Sequence, residues 1–123
     1  MKRIYLLLLA LATIFVACKK NREAELTTFS IKNEKIASTT TTMELTCEVV
    51  CSATIKELYL QYSTNADFTK YEEVLMNEIG KSYYGVTIDN LTPNTTYYVR
   101  YLAENSYSSM LSDKISKFNT QKT

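Results

Sequence analysis

Residues 91–105 read LTPNTTYYVRYLAEN, and this stretch decides the fold that the sequence predicts. We expect Leu91 to fill one end of a core and Pro93, whose ring fixes φ, to lie where the chain crosses between two sheets. The ring of Tyr97 should be buried while its hydroxyl reaches the backbone of the same corner. Every second residue then continues the apolar pattern of a strand with one buried face. The expected inner-face residues of that strand are Val99, Tyr101 and Ala103.

The rest of the chain repeats this pattern on a short scale. From Thr27 onward, alternating stretches are broken by polar turns about every ten residues, and none has the 3.6-residue apolar period of a long amphipathic helix. Seven such strands in about a hundred residues are typical of a two-sheet sandwich. The predicted strands lie at 28–37, 43–51, 55–63, 71–77, 83–89, 96–104 and 112–120. The sequence therefore predicts an all-β protein.

The spacing within residues 91–105 closely resembles the E–F corner and F strand of fibronectin type III domains. Residues 118–120 are similar to the closing strand of that family, and LQYST at 60–64 is similar to the central strand of its bacterial lipoprotein members. The resemblance covers about residues 27–121. It implies a seven-strand fibronectin type III or immunoglobulin-like β-sandwich at residues 27–123. In its last strand, Ile115 and Phe118 are three residues apart, so a regular strand would point them to opposite faces. That strand therefore either bulges or leaves one of them outside.

Composition excludes most enzyme classes. The chain has 123 residues, 14 Lys+Arg against 13 Asp+Glu, two Gly and no His. A net charge of +1 argues against a nucleic-acid partner, and the lack of His excludes catalytic triads and imidazole metal sites. Glu72 and Glu73 are adjacent and point to opposite faces of a strand, so they cannot act as a pair. We expect no catalysis, no cofactor and no metal.

The N-terminus is typical of a secretory signal. Lys2 and Arg3 precede an apolar stretch at 4–16, which as a helix would be about 20 Å long and too short for a bilayer core of about 30 Å. Residues 15–18, Phe-Val-Ala-Cys, resemble the lipobox of bacterial lipoproteins, with Phe where that family usually has Leu. The resemblance implies that residues 1–17 are cleaved and that Cys18 is acylated. An ordinary signal peptide with an incidental Cys and an uncleaved anchor are the alternatives.

Residues 18–26 are predicted to be the lipidated Cys and a polar tether. The seven residues 19–25 reach at most about 25 Å when extended, which would keep the domain close to its membrane. The membrane, through the lipid, is thus one expected partner. The predicted location is the bacterial cell envelope, at the outer membrane. The acidic run that follows the Cys in surface-exported lipoproteins is missing.

The two remaining cysteines, Cys47 and Cys51, fall on one face of the same predicted strand. Residues four apart in a strand are separated by about 13 Å, whereas the Cα atoms of a disulfide lie about 5.5–6 Å apart. A disulfide would therefore need a bulge or tight turn at residues 49–50. Two buried thiols in a core strand are the favoured interpretation.

The candidate binding patch lies on the outer face of the two strands at 55–63 and 96–104, which the resemblance makes neighbours. Tyrosine and arginine are frequent in binding hot spots, although cross-strand aromatic pairs also stabilise sheets without binding anything. The outward residues are Tyr59, Gln61, Tyr98, Arg100 and Leu102. The loops at 63–71 and 106–109, the latter with Tyr107, are secondary candidates.

Taken together, these features predict a lipid-anchored module of the cell envelope that binds or adheres to a protein or a glycan and has no catalytic activity. The alternative is a structural subunit whose sheet docks permanently into a larger envelope assembly.

Overall fold

The computed structural model describes residues 24–123, so the predicted signal and Cys18 lie outside the described residues. Nine strands form within this range, and no helix that could cross a membrane is found in it. The strands are β1 (Phe29–Ser38), β2 (Met43–Cys51), β3 (Glu57–Ser63), β4 (Glu72–Leu75), β5 (Asn77–Gly80), β6 (Tyr83–Ile88), β7 (Thr96–Glu104), β8 (Ser109–Leu111) and β9 (Ser116–Asn119).

The strands make two antiparallel sheets that face one another. The first sheet has the order β1-β2-β6-β5, and the second has the order β4-β3-β7-β8, with β9 paired to the other end of β7. Alternation explains the core, because residues at every second position of β2, β3 and β7 point between the sheets, where most of them are buried. The most deeply buried side chains are Tyr101, Met43, Leu45, Leu58, Leu60, Val99 and Cys47. The all-β sandwich that the sequence predicts is confirmed.

The prediction of one strand at 71–77 is wrong, because the chain changes sheets at Met76. β4 pairs with β3 in the second sheet, whereas β5 pairs with β6 in the first. The Met76 side chain is buried in the core, and its N–H donates to the carbonyl of Leu58 at 2.9 Å. Met76 continues the apolar run of Val74 and Leu75, so the sequence does not mark it as the point of crossing.

The prediction of one strand at 112–120 is also wrong. β8 and β9 both pair with β7 and are separated by a break at which the Ser112 side chain is buried. The N–H of Ser112 donates to the Tyr101 carbonyl at 2.8 Å, and its hydroxyl accepts from the Tyr101 N–H at 3.0 Å. Ile115 is therefore left outside while Phe118 is buried, which resolves their opposite parity. The expected seven strands become nine, because the chain changes sheets at Met76 and because β8 forms at Ser109–Leu111, before the predicted range 112–120.

Packed structure begins before residue 27, inside the segment predicted to be a tether. Leu26 is buried in the core, and its N–H donates to the Ser108 hydroxyl at 2.8 Å. The amide of Asn105 donates to the carbonyls of Ala24 at 2.6 Å and Thr54 at 2.9 Å. Asn105 thereby fixes the N-terminal segment to the end of the sandwich that carries the β2–β3 and β7–β8 connections.

A bulge in β1, which the predicted strand at 28–37 did not include, brings a carboxylate to the core. The β1–β2 register shifts between Lys32 and Lys35, and Asn33 has a φ of 52°, a region that Asn tolerates better than most residues. Glu34 accepts the Tyr101 hydroxyl at 2.5 Å and the Ser116 hydroxyl at 2.6 Å. The carboxylate links β1 to the second sheet, and the Tyr101 hydroxyl has a partner despite its burial.

The burial of Tyr101 predicts a loss of stability in alkali. Desolvation, reinforced by the Glu34 carboxylate, raises the pKa of Tyr101 above its usual range. In the unfolded chain a tyrosine has a pKa of about 10. The folded chain keeps a proton that the unfolded chain releases, so the free energy of unfolding falls as pH rises above about 10. Tyr101→Phe should reduce that slope by up to about 1.4 kcal/mol per pH unit.

Urea unfolding curves at a series of pH values between 8 and 11 measure this slope. The control Tyr107→Phe removes an exposed tyrosine and should follow the wild-type curve. Equal slopes for wild type and Tyr101→Phe would contradict the prediction, whatever the difference in their stability at neutral pH.

Candidate functional site

The corner at residues 89–97 holds the two sheets in register at one end of the sandwich. Leu91 is buried, and its N–H donates to the Thr41 carbonyl at 2.8 Å. The ring of Tyr97 is buried in the core, and its hydroxyl accepts the N–H of Thr92 at 2.8 Å. Pro93 is half-buried between them. The corner therefore fixes where β7 starts and which of its side chains face outward.

An apolar row crosses the outer face of the second sheet. Tyr59 lies opposite Leu75 on one side and Leu102 on the other, and Leu102 lies opposite Leu111. Directly opposite residues share a face, so these four side chains form one line across β4, β3, β7 and β8. Leu75 and Leu111 are 49% and 43% exposed, and the two central residues are half-buried. We call Leu75, Tyr59, Leu102 and Leu111 the apolar row.

Carboxylates border the apolar row on the side nearer the N-terminal segment. Glu57 lies opposite Glu104, one outward position along from Tyr59 and Leu102. The Tyr59 hydroxyl donates to the Glu57 carboxylate at 2.7 Å. That hydrogen bond, with the charges of Glu57, Glu104 and Glu73 nearby, raises the pKa of Tyr59 to about 12. The phenol of Tyr59 therefore stays neutral at physiological pH and faces a negative surrounding.

The prediction that Gln61 is part of an open patch is wrong. Its side chain lies on the outer face of the second sheet but is only 3% exposed. The Gln61 amide donates to the Glu73 carboxylate at 2.8 Å and accepts from Nε of Arg100 at 2.7 Å. These neighbours satisfy its polar atoms and cover it, so Gln61 is unavailable to a ligand.

Arg100 is covered by the loop between β3 and β4. Its guanidinium carbon lies 4.2 Å from the centre of the Phe68 ring and 5.5 Å from that of Tyr71, within the range of cation–π interaction. Phe68 is buried although it lies outside the main core, because the loop folds back over the sheet.

The predicted binding patch is thereby divided into separate parts. Tyr59 and Leu102 belong to the apolar row, whereas half-buried Tyr98 lies two outward positions away from Leu102, opposite Lys117.

The loop at 63–71, a secondary candidate from the sequence, is held by its own hydrogen bonds. The Ser63 hydroxyl donates to the Lys70 carbonyl at 2.5 Å and accepts the Asn65 N–H at 2.9 Å. The Asp67 carboxylate accepts the Thr69 N–H at 3.1 Å. The loop borders a cleft of about 570 Å³ at the end of the sandwich. The cleft is lined by Tyr62, Ser63, Thr64, Thr69, Lys70, Tyr71, Glu72 and Tyr97.

The other candidate loop, at 106–109, is a compact turn at the end of the sandwich where Ala24 is fixed. The side-chain Oδ1 of Asn105 accepts the N–H groups of Tyr107 at 2.9 Å and Ser108 at 3.0 Å. The Tyr107 side chain is largely exposed. Because Asn105 also binds Ala24, this turn lies beside the point at which the described chain begins.

Cys47 and Cys51 are free thiols in the core strand β2. Cys47 is fully buried, and desolvation raises its pKa to about 12. The Cys51 thiol is half-buried and donates to the Ala53 carbonyl at 2.9 Å. Burial and a raised pKa make both thiols poor nucleophiles. Within residues 24–123, no group of three or more Cys, Asp or Glu is placed to hold a metal ion.

No protein-family model matches the sequence, and comparison with curated proteins also finds no match. Solved structures do match. The fibronectin type III domain of human contactin 1 has a TM-score of 0.66 and 15% identity, with 88% of this chain and 90% of that domain covered. A computationally redesigned β-sandwich protein has a TM-score of 0.59 and 23% identity, covering 76% of this chain and 90% of the redesigned one.

A bacterial structure also matches. The sensor domain of the anti-sigma factor RsgI4 from Pseudobacteroides cellulosolvens has a TM-score of 0.54 and 18% identity, with 78% of this chain and 95% of that domain covered. Identities at this level show the fold alone. The described chain is a fibronectin type III-like β-sandwich, and the structures that match it are β-sandwich domains of this kind. Among the described residues, the apolar row is a continuous line of large side chains that the second sheet leaves partly uncovered.

Proposed function

We propose that this chain is a lipid-anchored, non-catalytic binding module of the bacterial cell envelope. The observation that carries the proposal is the apolar row, because four large side chains in line across a sheet face are a costly surface for a domain that remains alone in water. A binding partner that covers the row would remove this cost. Cys47 is buried, Cys51 is half-buried, and both thiols are poor nucleophiles. The Glu73 carboxylate is hydrogen-bonded to Gln61.

The site of anchoring is compatible with an open sheet face. Ala24 is fixed at one end of the sandwich by Asn105, and Cys18 precedes it by six residues. Six residues span at most about 20 Å, so a lipid on Cys18 would hold that end near the membrane. The apolar row lies on the side of the sandwich, on a different surface from the anchored end. Anchoring and binding can therefore occur together.

Acyl labelling tests the anchor. Wild-type protein expressed in bacteria that are fed a labelled palmitate should carry the label and sediment with membranes, because acyl chains contribute about 0.8 kcal/mol per buried CH₂, far more than the polar tether can supply. Cys18→Ala should lose the label and, because cleavage follows acylation in lipoproteins, should also keep its signal. An unlabelled wild type, or a labelled Cys18→Ala protein, would contradict the proposal.

Sizing after detergent extraction separates binding from a structural role. A binding module should elute mainly as a free monomer in its detergent micelle, because a partner bound through one small surface dissociates on dilution. Elution in a stable complex that survives purification would instead favour the structural subunit. The same preparations serve for the labelling experiment.

A further inference from the structure

Two carboxylates face each other across neighbouring strands, and no cation from residues 24–123 is recorded between them. Glu57 of β3 and Glu104 of β7 are directly opposite in the antiparallel ladder, where Cβ atoms are typically about 4.5–5.5 Å apart and like charges are destabilising. Among the described residues, neither carboxylate forms an ion pair, and the Tyr59 hydroxyl is the one side chain that donates to Glu57. The isolated domain thus bears an electrostatic cost beside its apolar row.

The negative charge continues around the apolar row. Glu73 lies on the other side of the row, two residues before Leu75 on β4. Arg100, a cation on this face, is held by Gln61 and covered by Phe68. Lys117 is one outward position further away, opposite Tyr98. The surface that a partner meets is therefore a short apolar line bordered by carboxylates.

We propose that the apolar row docks a protein segment in which apolar side chains are flanked by lysine or arginine. This inference rests on the proposed binding function and names the chemistry of its partner. Apolar side chains cover Leu75, Tyr59, Leu102 and Leu111, while a cationic group is placed between Glu57 and Glu104 and relieves their repulsion. Charge-assisted hydrogen bonds to two carboxylates then fix the register of the segment.

The size and charge of the surface favour a short segment over a membrane surface. Four adjacent strands span three spacings of about 4.8 Å, or about 14 Å, which is the length of four or five extended residues. The membrane surface is a poor occupant, because the anionic headgroups of bacterial lipids would be repelled by Glu57, Glu104 and Glu73. A cationic protein segment satisfies both the length and the charge.

In-cell photo-crosslinking tests the proposal with the full chain. A photoreactive phenylalanine analogue replaces Leu75, which is about half exposed, so its replacement should leave the core intact. Thr87, an exposed outward residue of the first sheet, carries the same analogue as a matched control. We expect crosslinks from position 75 only, to a peptide that combines apolar residues with at least two lysines or arginines.

The identity of the crosslinked peptide decides the outcome. A neutral or acidic peptide, a lipid or glycan adduct, or the absence of any crosslink at position 75 would overturn the proposal. So would a peptide from a second copy of this chain, or one from its own basic tether at 19–22. The labelling of Cys18 is read separately, so failure of the partner chemistry is distinguishable from failure of the proposed anchored function.

Charge neutralisation gives an independent readout. The double variant Glu57→Gln and Glu104→Gln should lower the crosslink yield about tenfold, because two ion pairs are lost. The urea midpoint of the same variant should stay equal or rise, since a like-charge contact is removed from the free domain. The control pair Glu44→Gln and Glu78→Gln, exposed on the first sheet, should leave the yield unchanged. An unchanged yield in the Glu57 and Glu104 variant would overturn the proposal.

Discussion

Tyr97→Ala is expected to lower the free energy of unfolding by about 3–5 kcal/mol, a large share of the stability of a small domain. The Tyr97 ring is buried, stacks on Phe118 with centroids 5.5 Å apart, and meets Tyr62 edge-on at 6.3 Å. Truncation leaves a cavity at the end of the core and also removes the acceptor of the Thr92 N–H. Urea unfolding measures the loss as a lower midpoint with an unchanged m-value.

Tyr97→Phe is the matched control, because it keeps the ring and removes only the hydroxyl. Its cost should be about 1–2 kcal/mol, the penalty for leaving the partly buried Thr92 N–H without its partner. Equal losses in the two variants would mean that the ring contributes nothing beyond its hydroxyl. That result would contradict the corner as described.

Leu60→Ala is the second large effect, expected at about 2–5 kcal/mol. Leu60 is fully buried in the centre of β3 and belongs to the core between the two sheets. Its truncation removes apolar contacts and opens a cavity that rigid neighbours cannot fully close. Thermal or urea unfolding of the purified domain gives the value directly.

Leu75→Ala is the control of identical chemistry on the outer face of the same sheet. Because Leu75 is about half exposed, we expect a change within about 0.5 kcal/mol. A loss comparable to that of Leu60→Ala would show that the apolar row is part of the stable core and is no docking surface. A small loss would mean that the exposed Leu75 side chain contributes little to the stability of the domain.

Much of the fold was predictable because its signals are local. Alternation in β2, β3 and β7 depends on residues two apart, so the inward-facing residues of these strands follow from the sequence. The corner depends on the spacing of Leu91, Pro93 and Tyr97 within seven residues. The opposite parity of Ile115 and Phe118 also predicted an irregular last strand.

The errors concern pairings between distant segments. The crossing at Met76 depends on which sheet offers a partner to residues 77–80, and the apolar run at 74–76 does not indicate which sheet that is. The inward turn of Glu34 follows from a bulge at Asn33. A parity change between Ile31 and Ile36 was its one sequence signal. Leu26 is buried because Ser108, far along the chain, binds its N–H.

The candidate site likewise contains residues that the sequence predicted and residues that it missed. The sequence identified Tyr59 and Leu102 as outward residues, since parity alone decides the face of a strand. It missed Leu75 and Leu111, whose alignment with them depends on the register of β4 and β8. It also missed Phe68, because a loop residue that covers Arg100 belongs to no periodic pattern.

The sequence by itself determined the class of the fold, the buried face of each main strand and the corner that joins the sheets. Each of these depends on the chemistry of residues close together in the chain. Only the tertiary structure decided which outward residues became neighbours, which were covered and which carboxylates faced each other. Those outcomes depend on register between strands distant in sequence, and register is set by the packing of the whole core.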